Sequence, residues 1–449
     1  MLVIGELSVF KFDTIGKTQH VLGFETKVNM ETQLTASPLG LKRSFGFGDR
    51  LGLATSGHIA ALKAKGAGFL PIFAQQSIRE MTRTDRTAKE VMQAAVESLK
   101  ADSYTGIWGA DADHLKNQQD VNVTAAAGFC FFTIDPSDFV NNAADNLGAA
   151  ELEAEIQKQN SENLYGDASL ETRYLNKSFD IAGQALQFDK ETLWRAGVKY
   201  GRAVAHCERM AGFIAEANPN RLFEIEVSVD ETDSPTSHLE HLFFALELRR
   251  RGVTIVSLAP RFIGEFEKGI DYKGDLKAFE VSLQTHVAIA REMGPYKISI
   301  HSGSDKFSIY PVIGRVCGDL LHVKTAGTSY LEALRVLARV QPEMFQEVIR
   351  YSGERFSEDK VSYHISVTDS DIPGLMQTSK AHLEQVFLDE DRGRQLLHVT
   401  FGSVLTKGRA ADGRRFKDHL LDVLHAKPEL HIEVLEKHLG KHLQQLNAG

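Results

Sequence analysis

The chain contains few cysteines, only three among its 449 residues. Cys130, Cys207 and Cys317 lie far apart, and none belongs to a CxxC pair. A disulfide framework and a zinc site made of cysteines both need closely grouped cysteines, so the spacing excludes both. Widely spaced cysteines are typical of proteins in a reducing compartment, and we expect a cytoplasmic location.

Long apolar runs, basic clusters and nucleotide-binding loops are also missing. No apolar run approaches the roughly 18 residues of a membrane-spanning helix, and the amino-terminal stretch does not resemble an export signal. The 51 basic and 60 acidic side chains leave a formal net charge of −9, which argues against a nucleic-acid partner or an anionic membrane partner. No GxGxxG turn or Walker loop follows the first apolar run, so we expect no nucleotide cofactor.

Short apolar runs that end in polar residues alternate with amphipathic helical patterns. The eight runs lie at about 44–52, 68–77, 106–114, 128–137, 221–232, 254–262, 296–305 and 319–329. Intervening stretches such as 88–100 and 328–340 place apolar residues at i, i+3 and i+4. Eight such units predict an α/β fold, a (β/α)8 TIM barrel. An open, doubly wound sheet is the less favoured alternative, because the phosphate-binding turn common in such sheets is missing.

The chain is longer than the roughly 250 residues of a plain barrel. We expect an N-terminal cap at 1–40 and a barrel at 41–335. The barrel would carry a helical insertion after its fourth strand, at about 140–215, where the sequence is polar and rich in Asn and Glu. A mainly helical extension is expected at 336–449.

Polar residues at the carboxyl ends of the strands are the candidates for chemistry, because these ends line the active site of a TIM barrel. His301 is a strong candidate, since it ends the buried alternation of Ile298 and Ile300 and is followed closely by Gly303. Histidines beside carboxylates suit a divalent cation. The polar strand ends hold Asp49, Arg50, Gln75, Gln76, Asp111, Asp113, His114, Asp135, Asp230, Glu231, Arg261, His301, Ser302, Asp305, His322, Lys324 and Thr325.

Several motifs at these ends resemble known enzymes. The strings GADADHLK, EIEVSVDETDSPTS and SIHSGSD resemble the third, fifth and seventh strand ends of class II, metal-dependent aldolases. Over nearly the whole chain the closer resemblance is to the tagaturonate/fructuronate epimerase family, which includes ketohexose 4-epimerases. That resemblance is carried by FGFGDRLGLATSGH, LAPRFIGEFEKGIDYKGD, SIHSGSDKFSIYP and HVKTAGTSYLEAL.

The resemblance implies two acid/base groups. Asp113 corresponds to the proton acceptor after the third strand. Glu231 corresponds to the second acid/base group after the fifth strand, and its neighbour Asp230 is the alternative.

The resemblance also implies one divalent cation, which would be Ni, Zn, Mn, Co or Fe. His114 and His301 correspond to two of its ligands. The sixth strand end lacks the histidine that aldolases usually have there, and it offers Glu267 as the third ligand, with Asp271 as the alternative.

The turns that hold phosphate in the aldolases are Gly-rich, but here they read SGSDK and KTAGTS. Cationic side chains near these turns can instead pair with a sugar-acid carboxylate, which favours an unphosphorylated substrate. The predicted substrate-binding residues are Arg261, Ser302, Asp305, Lys324 and Thr325.

The family resemblance therefore implies a metal-dependent 4-epimerase that interconverts D-tagaturonate and D-fructuronate, with D-tagatose and D-fructose as further candidate substrates. The C4 hydrogen of these 2-ketoses is not alpha to the carbonyl, so a retro-aldol route is expected, with proton transfer on an enediol as a second route. A class II aldolase-type lyase that acts on an unphosphorylated keto sugar or sugar acid is the alternative function, and a non-catalytic sugar-binding protein is a third. Homo-oligomerisation is left open.

Overall fold

The computed structural model describes residues 34–449 and has ten strands there. They are β1 (Ser44–Gly48), β2 (Leu70–Ser77), β3 (Gly109–Leu115), β4 (Phe131–Ile134), β5 (Ser178–Ile181), β6 (Gln184–Gln187), β7 (Glu224–Val229), β8 (Ser257–Pro260), β9 (Lys297–Ile300) and β10 (Leu321–Thr325). Eight of them close into a parallel barrel in the order β1-β2-β3-β4-β7-β8-β9-β10, with β10 paired to β1. The predicted TIM-barrel fold is confirmed.

Helices cover the barrel and form the two added regions. They are α1 (Thr55–Lys65), α2 (Ile78–Arg83), α3 (Ala88–Ala101), α4 (Gln118–Ala127), α5 (Ala149–Ser161), α6 (Leu170–Tyr174), α7 (Lys190–Ala217), α8 (His238–Arg250), α9 (Leu276–Met293), α10 (Tyr310–Cys317), α11 (Thr328–Val340), α12 (Pro342–Asp359), α13 (Ile372–Leu375), α14 (Asp391–Val399), α15 (Phe401–Thr406), α16 (Phe416–Ala426) and α17 (Pro428–Asn447). The local sequence determines where several of these helices begin. Thr87 and Glu90 cap α3 reciprocally, and Ser237 and Glu240 do the same for α8.

The barrel interior is polar, whereas the layer between the strands and the helices is apolar. Side chains alternate along each strand, so Phe45 and Val323 belong to the apolar layer while their neighbours face the barrel axis. His322, for example, lies 2.9 Å from the Ser44 hydroxyl across the β1–β10 pair. Charged groups in a polar interior that is closed to solvent need partners, so we expect ion pairs and hydrogen bonds inside the barrel.

The insertion between β4 and β7 contains α5, α6 and α7, as the predicted helical insertion requires. It also contains an antiparallel hairpin of β5 and β6, which was not predicted. The hairpin turn places both Ala182 and Gly183 at positive φ, 52° and 84°, and this conformation matches the twist of a two-residue hairpin.

The C-terminal region is helical and forms a second apolar core, with Phe345, Phe356 and Phe401 fully buried. Its last helix, α17, returns to the barrel and packs on α1. Leu435 lies so near Gly57 that a Cβ there would come within 2.6 Å of it. The helical extension therefore packs on the barrel.

Of the predicted N-terminal cap, residues 1–33 lie outside the described residues. The rest contacts the amino-terminal end of the barrel, where Leu39 packs on Ile72 and Phe131 and the Ser37 amide donates to the Trp108 carbonyl at 2.9 Å. The division of the chain into domains stays a prediction. Within residues 34–449, none of the helices has the length and hydrophobicity needed to cross a membrane.

Candidate active site

The carboxyl ends of the barrel strands surround a cavity of about 350 Å³, which adjoins a smaller one of about 50 Å³. Asp113 and His114 line the smaller cavity from the end of β3, and His301, directly after β9, lines both. Asp230 and Glu231, directly after β7, line the larger one. Strand ends that are far apart in sequence therefore meet at one place, as barrel geometry requires.

Two histidines face each other at the mouth of the barrel. The ring centroids of His114 and His301 are 5.1 Å apart, with an interplanar angle of 81°. One nitrogen of each ring and one carboxylate oxygen of Asp113 lie within 4.8 Å of one another. His114 has a φ of 53°, which is uncommon for a residue other than glycine and is often found at functional sites. Groups of these types at this spacing can hold a divalent cation.

Each histidine is anchored through one ring nitrogen. Nδ1 of His114 donates to Oδ2 of Asp135 at 3.1 Å, and Nε2 of His301 donates to Oε1 of Glu226 at 2.6 Å. The other nitrogen of His301, Nδ1, is buried without a hydrogen-bond partner in the described part of the chain. A histidine that binds a metal through one ring nitrogen usually donates from its other ring nitrogen to a carboxylate. His114 and His301 both have this arrangement, so their remaining ring nitrogens fit a divalent cation.

The surrounding carboxylates favour positive charge at this point. Burial would lower the pKa of His114, but Asp113 and the hydrogen-bonded Asp135 outweigh burial and raise it to about 10. Burial would raise the pKa of Asp113, but the positive charges of Lys324 and His114 hold it below its ordinary value. An ionised Asp113 beside these imidazoles can accept a proton or bind a cation.

Lys324 lies in the barrel interior, where its side chain is only 1% exposed. Its ammonium is 2.7–2.8 Å from three carboxylates, those of Asp111, Asp113 and Glu226. It also donates to the Thr133 hydroxyl at 2.8 Å. The prediction that Lys324 binds a substrate carboxylate is at odds with this geometry, because a substrate would have to displace a carboxylate of the chain itself.

Two acidic groups after β7 face the larger cavity. Glu231 is partly exposed and pairs with Arg79 at 3.3 Å. Asp230 lies 3.5 Å from Nδ1 of His301. Burial would raise the pKa of Asp230, but His301 and His114 lower it. Which of the two acts as the second acid/base group stays a prediction.

Glu267, the predicted third ligand, lines the smaller cavity but lies outside the group formed by Asp113 and the two histidines. Its carboxylate accepts hydrogen bonds at 2.6 Å from the Ser366 amide and from Nε2 of Gln395. Burial would raise its pKa, but these hydrogen bonds lower it to about 2. Asp271, the alternative ligand, lines neither cavity and accepts from the Ser308 amide at 3.1 Å. The structure thus offers Asp113 as the carboxylate nearest to both histidines.

The remaining predicted substrate-binding residues fall into two groups. Arg261 and Ser302 line the larger cavity. Thr325 and Asp305 line neither: the Thr325 hydroxyl donates to the Gly46 carbonyl at 2.8 Å, and Asp305 is buried against Arg394 at 2.7 Å. Their predicted role in substrate binding stays a prediction.

Sequence reasoning missed other residues that line the cavities. Arg79 lies two residues beyond the end of β2, so the strand-end rule could have identified it. Lys268 follows Glu267 directly, and no motif in the sequence distinguishes it from a surface lysine. Tyr363 and His398 come from the C-terminal helical region, and no local sequence signal places them at the barrel.

Comparisons with known proteins agree with this architecture. A family model described as tagaturonate epimerase matches residues 26–446. A tagaturonate/fructuronate epimerase of Thermotoga maritima is 44% identical over 409 residues, which are 91% of this chain and 82% of that protein. A glycerol-complexed crystal structure of fructuronate-tagaturonate epimerase UxaE from Cohnella laeviribosi is 37% identical with a TM-score of 0.86, over 92% of this chain and 83% of that chain. The native crystal structure from Cohnella laeviribosi, also 37% identical, has a TM-score of 0.84 over the same shares. The chain therefore belongs to the tagaturonate epimerase family, and it is an isomerase of the epimerase class.

Proposed function

We propose that this enzyme interconverts D-tagaturonate and D-fructuronate at C4 and needs a divalent cation to do so. The observation that carries the proposal is the facing pair His114 and His301, each anchored by a carboxylate at the mouth of the barrel in a chain of this family. D-Tagatose and D-fructose are candidate neutral substrates.

His114 and His301 would hold the cation, and Glu267 is the proposed third ligand, because it lines the same small cavity as both histidines. To take this role, the Glu267 carboxylate would exchange its hydrogen bonds with Ser366 and Gln395 for the cation. Bound there, the cation would supply Lewis-acid stabilisation for the oxygens of the ketose. Asp113 is the competing third ligand, so metal stoichiometry in Glu267→Gln and Asp113→Asn separates the two assignments.

Asp113 is the proposed base. Its ionised carboxylate would accept the proton of the C4 hydroxyl while the C3–C4 bond breaks, which yields a three-carbon enediolate and a three-carbon aldehyde acid. Rotation of the aldehyde and attack by the enediolate on its other face re-form the bond, and the proton returns to the C4 oxygen with inverted configuration. Glu231, which lines the adjoining larger cavity, is the proposed partner that handles the proton on the opposite face.

The experiment is product analysis with metal-loaded protein and with chelated protein. Tagaturonate, tagatose and fructose are incubated separately, and the products are resolved by chromatography. We expect fructuronate from tagaturonate with metal-loaded protein alone. Accumulation of three-carbon products would instead identify a lyase, and an unchanged substrate would refute the epimerase assignment. The cytoplasmic location stays a prediction.

A further inference from the structure

The cations that line the two cavities differ in how their charge is balanced. Arg50 pairs with Glu80 at 2.8 Å, and Arg79 pairs with Glu231 at 3.3 Å. Lys268 lines both cavities, yet no carboxylate in the described part of the chain lies within 4 Å of its ammonium. A half-buried ammonium without a counter-charge in a cavity indicates a place for an anion.

Lys268 makes a hydrogen bond to a residue that is adjacent in sequence to His301. Its ammonium donates to the Ser302 hydroxyl at 2.8 Å, and Ser302 directly follows His301. A lysine ammonium has three N–H donors, and this bond uses one of them. The other two are available to a ligand whose far end reaches the histidines.

The backbone around Lys268 is held in place. The Glu267 carbonyl on one side accepts from the buried ammonium of Lys306 at 2.8 Å. Gly269 on the other side has a φ of 74° and packs on the ring of His398, where an added Cβ would come within 3.3 Å. A lysine held in this way loses less conformational freedom on binding than a surface lysine does.

We infer that Lys268, with Ser302 as its hydrogen-bonded neighbour, binds the carboxylate of the keto-uronate and thereby selects it over a neutral ketohexose. The inference rests on the proposed function. Of the cations that line the larger cavity, Arg79 already pairs with Glu231, whereas Arg261 and Lys268 have no carboxylate within 4 Å in the described residues. Lys268, unlike Arg261, also lines the smaller cavity beside the histidines, so it is the better placed of the two to offset the charge of an anionic substrate. Lys268 takes the role predicted for Lys324, whose charge is already balanced inside the barrel.

The test compares Lys268→Gln, Lys268→Arg and the control Lys277→Gln, which removes an exposed lysine at the start of α9. Kinetics with tagaturonate give KM and kcat, and calorimetry gives the dissociation constants of tagaturonate and tagatose. Losing one charge-assisted hydrogen bond should raise KM and the dissociation constant of tagaturonate about 10- to 100-fold in Lys268→Gln. We expect kcat, metal content, Tm and the tagatose dissociation constant to change little, the arginine variant to recover most of the affinity, and the control to match the wild type.

Equal weakening of tagaturonate and tagatose binding, or unchanged tagaturonate binding, in Lys268→Gln would overturn the inference. Because binding is measured apart from turnover, failure of the proposed function can be distinguished from failure of the inference about Lys268. A wild-type protein that binds tagaturonate without converting it would refute the proposed function and leave the test of Lys268 in place.

Discussion

Replacing Lys324 by methionine should cost about 3–5 kcal/mol of unfolding free energy at neutral pH. The substitution removes an ammonium that lies 2.7–2.8 Å from the carboxylates of Asp111, Asp113 and Glu226, all of them buried. Loss of one partner from a buried ion pair leaves uncompensated charge, and this explains the size of the effect. In the variant the folded-state pKa of the carboxyls rises above the unfolded value. The pKa values of Asp113 and Glu226 lie below their ordinary values in the wild type, so the penalty begins to shrink as the pH falls below the raised pKa of the variant, and it vanishes only in acid strong enough to protonate these carboxylates in the wild type as well.

Urea unfolding followed by far-UV circular dichroism measures the effect, with Lys297→Met as the matched control. Lys297 is also buried in the barrel, where burial lowers its pKa to about 8, and its ammonium donates to the Ser44 hydroxyl at 3.0 Å. The ammonium also donates to the Lys42 carbonyl at 3.4 Å, and no carboxylate in the described residues lies within 4 Å of it. Since its hydrogen-bond acceptors are uncharged, the control should lose less, about 1.5–3 kcal/mol. A loss in Lys324→Met no larger than in the control, together with a raised KM for uronates, would refute the structural role and restore the substrate-binding one.

Three further predictions concern the metal, the acid/base groups and acid stability. Chelation should abolish activity, and added Ni²⁺, Mn²⁺, Co²⁺ or Zn²⁺ should restore it. Mass spectrometry of His301→Ala should show less than one bound metal ion per chain. Full activity of the chelated protein would contradict this prediction. Asp113→Asn and Glu231→Gln should each lower kcat about 10²–10⁴-fold in both directions, with the metal retained. Near-wild-type rates in Glu231→Gln would indicate that Asp230 is the second acid/base group. Burial lowers the pKa of His241 to about 3, so its contribution to stability is complete above about pH 6.5 and is lost as the pH falls toward 3. Between pH 7 and 5 the wild type should therefore lose about 2 kcal/mol more unfolding free energy than His241→Phe, and equal losses would show that His241 titrates normally.

The strand ends could be predicted from the sequence because barrel geometry maps them to one place. Asp113, His114 and His301 are separated by up to 188 positions in the numbering, yet each follows an apolar run and each lines the smaller cavity. The sequence also indicates on which face of its strand Lys324 lies. Side chains alternate along a strand, so Lys324 shares one face of its strand with His322, two residues earlier.

Other features could not be predicted, because they depend on long-range packing. Gln395 and Ser366 bond to Glu267 across 128 and 99 residues, and no local pattern marks that contact. Asp305 looks like any other polar strand end, and only the return of α17 shows that it is buried against His438 at 2.6 Å. The missing counter-charge of Lys268 becomes visible only when every neighbour is placed.

The most direct test of the central claim is the position of hydrogen in the product formed in D₂O. Metal-loaded protein is incubated with D-tagaturonate in D₂O, and the D-fructuronate that forms is examined by NMR at C4. Cleavage and re-formation of the C3–C4 bond leave the original hydrogen on C4, because that hydrogen stays on the aldehyde carbon throughout. The account predicts fructuronate with protium at C4; deuterium at C4 would contradict the retro-aldol route and show that the enzyme exchanges that proton directly.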